Sequence, residues 1–131
     1  MPEERTLTVG SDEIDNPSWK KVEAALKKLA GKSEDRELCL HGDSEDTYLI
    51  VSCDPKLKLY YVSGSWEGES DYHEVFDRTK KPKRVEALVG GQNVDWKADS
   101  LVEIKTATQA LRYFYDRQER DPKLSWRVAT V

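Results

Sequence analysis

Thr106-Ala-Thr-Gln-Ala-Leu-Arg-Tyr-Phe-Tyr115, followed by Asp121-Pro-Lys-Leu-Ser-Trp126, is the stretch from which the fold is read. Thr106 stands three residues before Gln109, the spacing of a capping box that satisfies free amides at a helix start. Ala107, Ala110, Leu111 and Phe114 fall at i, i+3, i+4 and i+7, so one helical face is apolar. Pro122 marks where that helix has ended, because it offers no amide and its ring clashes with the preceding turn. Trp126 lies beyond the stop and reads as a peg that closes the core. Nothing in the stretch resembles a catalytic pattern; it is scaffold.

A second helix start lies at Asn16-Pro17, with Asn as N-cap and Pro at the first helical position. Trp19, Val22, Leu26 and Leu29 follow at helical spacing, and Gly31 supplies the stop. Residues 5–9 alternate in polarity and read as a strand ahead of this helix. Further strands are expected at 37–41, 47–52, 57–62, 72–76 and 84–89, bounded by turn residues such as Gly42-Asp-Ser-Glu-Asp46 and Asp54-Pro55. Gly90-Gly91 breaks the pattern, and the segment up to Ser100 reads as a loop or a short strand. The order β-α-β-β-β-β-β-α predicts an α+β fold spanning 1–131 as one domain. In it a mostly antiparallel meander sheet carries an N-terminal and a C-terminal helix packed on one face. The opposite face is expected to stay partly open to solvent or to a partner.

The 131 residues include 25 acidic and 21 basic side chains, a net charge of -4. That balance gives no general attraction to a polyanion and suits a protein whose partner is basic. The first ten residues lack the apolar run of a signal peptide, and no run has the length of a membrane span. A cytoplasmic protein with no membrane contact is expected. Two cysteines are too few for a disulfide framework.

Cys39, His41, Cys53 and His73 are the residue types of a zinc site, but their spacing lacks the close ligand pairs of structural zinc. If Leu38 pairs with Val51 and Leu40 with Leu49, Cys39 and Cys53 point to opposite sheet faces and share neither metal nor disulfide. Cys39 and His41 form the one thiol-imidazole pair on a strand, with no third group to orient it. Gly90-Gly91-Gln92 lacks the Lys-Ser/Thr ending of a phosphate loop and reads as a turn. No catalytic residue, metal or cofactor is expected, and the chain does not read as an enzyme.

Two charge clusters remain. The loop 78–84 carries five positive side chains, among them Lys80, Lys81, Lys83 and Arg84. It supports an alternative reading as a small nucleic-acid-binding or regulatory domain, although it lacks interleaved aromatics and sits in a net-acidic chain. The stretch 66–74 is the opposite, with Glu67, Glu69, Asp71 and Glu74 interleaved with Trp66 and Tyr72. Rings among charges suit a protein-binding surface, where rings supply affinity and charges steer encounter. The turn with Asp43, Glu45 and Asp46 is a second candidate edge of that surface.

Pro17-Ser-Trp19, Tyr60-Tyr-Val62, Val89-Gly-Gly-Gln92 and the Ala110…Phe114…Asp121-Pro-Lys-Leu-Ser-Trp126 series occur in an order that resembles one family. It is the Imm-one immunity proteins of bacterial polymorphic toxin systems, many of them encoded beside nucleic-acid deaminase toxins. The similarity runs from about Asn16 to Trp126. It implies a small cytoplasmic α+β protein that binds a cognate toxin domain and blocks its active site. The chain departs from the family pattern at Gln118-Glu-Arg120, where a Gly-containing turn is expected, and in the strongly basic 78–84 loop. The matching residues are structural in character, so the resemblance assigns no binding residues.

Overall fold

Apolar and polar side chains alternate along the central strands, and this alternation builds one antiparallel sheet with a single apolar face. The computed structural model describes residues 5–31 and 35–129. In chain order the elements begin with β1 (Thr6–Val9), β2 (Asp12–Asp15), α1 (Trp19–Lys28), β3 (Glu37–His41), β4 (Tyr48–Asp54) and β5 (Leu59–Ser65). They continue with β6 (His73–Val75), β7 (Arg84–Val89), β8 (Gln92–Lys97), a 3-10 turn (Ala98–Ser100), β9 (Leu101–Val102), α2 (Ile104–Arg117) and β10 (Trp126–Val128). The main sheet runs β10-β6-β5-β4-β3-β1-β2, with β9 also pairing with β5, while β7 and β8 form a separate hairpin. Each pairing among the described residues is antiparallel.

Leu38 pairs with Val51 and Leu40 with Leu49, the register expected from the sequence. Leu7, Leu38, Leu40, Leu49, Val51 and Val62 therefore share one face, and Cys39 and Cys53 lie on opposite faces as free thiols. That face forms one buried cluster with Val22, Leu26 and Leu29 of the α1 region and with Ala107, Ala110, Leu111 and Phe114 of α2. Each such Leu or Phe contributes about 1.5–3 kcal/mol relative to exposure.

Several sequence expectations need correction. Helix α1 is capped by Ser18, whose Oγ accepts the Lys21 amide at 3.3 Å. Asn16 instead closes the β1–β2 hairpin: it adopts φ 49° and exchanges bonds with Arg5 at 2.7 and 3.3 Å. Helix α2 begins at Ile104 after Glu103, so Thr106 and Gln109 form no capping box. Gln109 donates to Asp121 Oδ2 at 2.9 Å, bracing the chain that leaves the helix. Neither helix is terminal, because β1–β2 precedes α1 and β10 follows α2. Strands β2, β8, β9 and β10 extend the expected order, and β7 leaves the meander to pair with β8.

The second sheet face is half covered by that hairpin. The Leu88 amide donates to Asp54 Oδ2 at 2.8 Å, and the Tyr61 and Trp96 rings meet edge-on at 5.1 Å. Glu74 lies next to this contact with no solvent exposure. Its Oε1 accepts from Tyr61 Oη at 2.7 Å and Lys97 Nζ at 2.9 Å, and its Oε2 accepts from Arg127 Nε at 2.7 Å. Arg127 also forks onto Asp99 at 2.7 and 2.8 Å and stacks over Phe76. A buried carboxylate persists only when such donors replace its lost hydration. The Arg127 hydrogen bonds hold the Asp99 carboxyl below its ordinary value.

Two outcomes follow for stability. Gly64 packs under the Trp66 ring, and a Cβ there would lie 2.6 Å from it. Gly64→Ala is expected to lose about 1–3 kcal/mol in urea unfolding through overpacking; an unchanged midpoint would contradict this slot. Arg127→Met should cost about 3 kcal/mol by leaving buried carboxylates underpaired. Because Asp99 is depressed when folded, its contribution is present above its unfolded value near pH 4 and is lost as pH falls through the folded value. The variant should accordingly show a shallower loss of stability below about pH 4, and an identical acid slope would rule this linkage out.

Candidate partner-binding surface

The β3–β4 turn and the β5–β6 loop, far apart in sequence, meet at one end of the sheet. Within the turn, the Gly42 amide bonds the Thr47 carbonyl at 2.8 Å and the Asp46 amide bonds Ser44 Oγ at 3.2 Å. Thr47 Oγ1 accepts the Glu67 amide at 3.0 Å, which ties turn to loop. Gln118, the last cap of α2, ties both to the helix. Its carbonyl accepts Trp66 Nε1 at 3.0 Å, and its Oε1 accepts the Asp43 amide at 2.8 Å. The candidates Asp43, Glu45, Asp46, Glu67, Glu69 and Asp71 are all exposed on these two segments, together with Tyr72.

Two expected surface residues belong to the interior. Trp66 is only 8% exposed and meets Phe114, Trp126 and His73 edge-on at 6.1, 5.7 and 6.5 Å. The missing side chain of Gly64 makes the slot, and the indole bond to Gln118 satisfies the ring nitrogen. Glu74 faces the opposite side of β6 and is consumed by the buried network. Trp66 is thus the pin beneath the acidic loop, and Glu74 anchors the strand that follows it.

Glu69 is exposed yet engaged. Arg120 forks onto its carboxylate at 2.8 and 3.2 Å while lying 4.7 Å over the Trp66 ring. This pairing holds Glu69 below the usual carboxylate value. His73 Nδ1 stands 3.4 Å from the same carboxylate.

His41 and Tyr48 were not singled out as surface residues by the sequence, yet they complete the patch. They are cross-strand partners with ring centroids 5.8 Å apart, and Tyr48 meets Tyr72 edge-on at 5.9 Å with the two hydroxyls hydrogen-bonded. That hydroxyl bond, with burial, pushes the Tyr48 phenol up to about 12, so it stays neutral. Extending the Leu40–Leu49 register by one residue would have placed His41 beside Tyr48. The Cys39 thiol is pushed up to about 12 by burial and by Glu37, the reverse of an activated nucleophile.

In the basic loop Arg78, Lys81, Lys83 and Arg84 are exposed and Lys80 is half-buried, and three of the five have partners within the chain. Lys80 Nζ donates to the Leu101 carbonyl, Arg84 pairs with Asp95 at 3.3 Å, and Arg78 lies over the Phe76 ring. Among the described residues no helix is long and apolar enough to cross a membrane.

No curated protein sequence matches the chain. The model of the family described as "Immunity protein Imm1" matches residues 10–128, which covers both helices, every strand from β2 to β10 and the acidic end. The chain belongs to the immunity protein Imm1 family, whose name carries toxin-inhibiting immunity as its function and a toxin protein as its partner.

Proposed function

We propose that the cognate toxin domain acts on nucleic acid, as a deaminase-like enzyme does, and that this protein inhibits it by occluding its active site with the acidic end. The observation that carries the reading is the convergence of six exposed carboxylates from two separate segments, braced through Gln118. An enzyme that handles nucleic acid needs a positive groove for phosphates. Carboxylates held in a fixed array compete for that groove and accelerate encounter electrostatically. Tyr72 and Tyr48 add amphipathic contact area at the centre of the array, where hot spots form. Inhibition on this reading is steric and needs neither cofactor nor metal. It places the protein in the cytoplasm, where its polymorphic-toxin partner would reach nucleic acid.

The test uses the toxin domain that co-purifies with this chain, sought first as the C-terminal domain of a secreted protein encoded in an adjacent reading frame. A triple variant, Asp43→Lys, Asp46→Lys and Glu67→Lys, touches only exposed side chains. Its association rate at low salt is expected to fall at least about tenfold relative to the parent chain, with a flattened salt dependence. Equal rates for the folded variant and the parent would refute the acidic end as the contact. Micromolar binding of oligonucleotides with a steep salt slope would favour the basic loop 78–84 instead.

A further inference from the structure

We infer that the toxin contact continues from the acidic end onto the open half of the second sheet face, where one basic segment of the toxin lies beside hairpin β7–β8. This rests on the toxin-binding reading above and adds a surface to it. Three observations converge on that face.

Charge is the first. The strands β1 to β5 contain no Lys or Arg, although the chain has 21. The pairings place Glu13 with Thr8 and Cys39, and Asp15 with Thr6 and His41, in two rows on the second face. Glu37 belongs to the same side of β3 as Cys39 and His41. Arg36 borders the face but turns its guanidinium to the Leu29 carbonyl at 3.0 Å. A cationic segment therefore meets only acidic or neutral strand side chains here, and an acidic one would meet uncompensated repulsion.

Shape is the second. The hairpin lies over β4, β5 and β6, and its tip comes down where the Gly90 amide bonds Ser52 Oγ at 3.4 Å. A cleft opens between its tip and the sheet, and its lining includes Thr8, Asp35, Arg36, Glu37, Cys39 and Gly90. Beyond it, among the described residues, Glu13, Asp15 and Glu37 are exposed and Thr6, Thr8, Cys39, His41 and Tyr48 are half-buried. Four strands span about 14 Å at the usual spacing, room for a single polypeptide segment. Gly90 and Gly91, with φ 60° and 82°, form the two-residue turn that keeps this tip narrow.

Continuity is the third. The row Asp15, Thr6, His41, Tyr48, Ser65 crosses the sheet and ends under Tyr72, which belongs to the acidic loop. The His41, Tyr48 and Tyr72 rings thus form an unbroken aromatic floor between the acidic end and the open face. A toxin seated on the one is led onto the other.

The probe is again the co-purifying toxin domain. Cross-saturation in the wild-type complex should reach the Thr8 and Ile50 methyl groups and spare Ala107, which is buried beneath the opposite face. Thr8→Arg, placing a cation on the open face, should weaken binding at least tenfold, as should Asp46→Lys at the acidic end. If Thr8→Arg fails to fold, the cross-saturation result decides alone. No saturation at Thr8 and Ile50, or full affinity in folded Thr8→Arg, overturns the inference. Loss of binding in Asp46→Lys alone leaves the acidic-end reading standing while removing this one. Loss in Thr8→Arg alone upholds the open face and removes the acidic end.

Discussion

A carboxylate that never meets solvent holds this molecule together across its length. Glu74 receives one donor from β5, one from β8 and one from β10, elements that lie 13, 23 and 53 residues away in sequence. Removing such a group from water is expensive, and only simultaneous pairing offsets the cost. The hairpin can therefore dock only where Lys97 reaches Glu74, and the chain end can join the sheet only where Arg127 does. Much else follows from that joint. Among the described residues the hairpin covers the β4–β6 half of the second face, and Trp126 is brought against Trp66 on the opposite side of the sheet.

The helices and the β3–β4 register were legible in the sequence because their signals are local. Ala107, Ala110, Leu111 and Phe114 declare one face without reference to anything else. Alternation in Glu37–His41 and its neighbour leaves one register that buries Leu38 and Leu40. Strand β2 was not legible, because Asp12-Glu13-Ile14-Asp15 has one apolar residue and lies at an edge. Helix starts were misread where two capping residues competed, as with Asn16 and Ser18. In that contest the residue next to the helix wins, and the other serves the preceding hairpin.

The candidate surface was legible as two acidic stretches but not as one site. Their union depends on Gln118 and Thr47, neither of which carries a sequence signal for binding. Burial of Trp66 could not be read either. It needs a glycine two residues earlier and a tryptophan sixty residues later to form the slot. A ring flanked by glutamates looks like a surface anchor in one dimension, although here the glutamates are outside and the ring is the support beneath them. Membership in an immunity-protein family agrees with an organisation of this kind, in which a rigid core presents charge on short, braced segments.

Gln118 carries one more consequence. It holds φ 56°, a left-handed conformation that costs a side-chain-bearing residue about 1 kcal/mol and that glycine adopts freely. At a helix exit that glycine would fit without strain, this chain accepts the strain in exchange for a side-chain amide that reaches Asp43. The acidic turn is thereby wired to the helix end in this protein specifically. Glycine at this position would ease the helix exit and remove the wire, leaving the turn without its bond from the helix end. One residue at the end of a helix thus sets the posture of a turn 75 residues away in sequence.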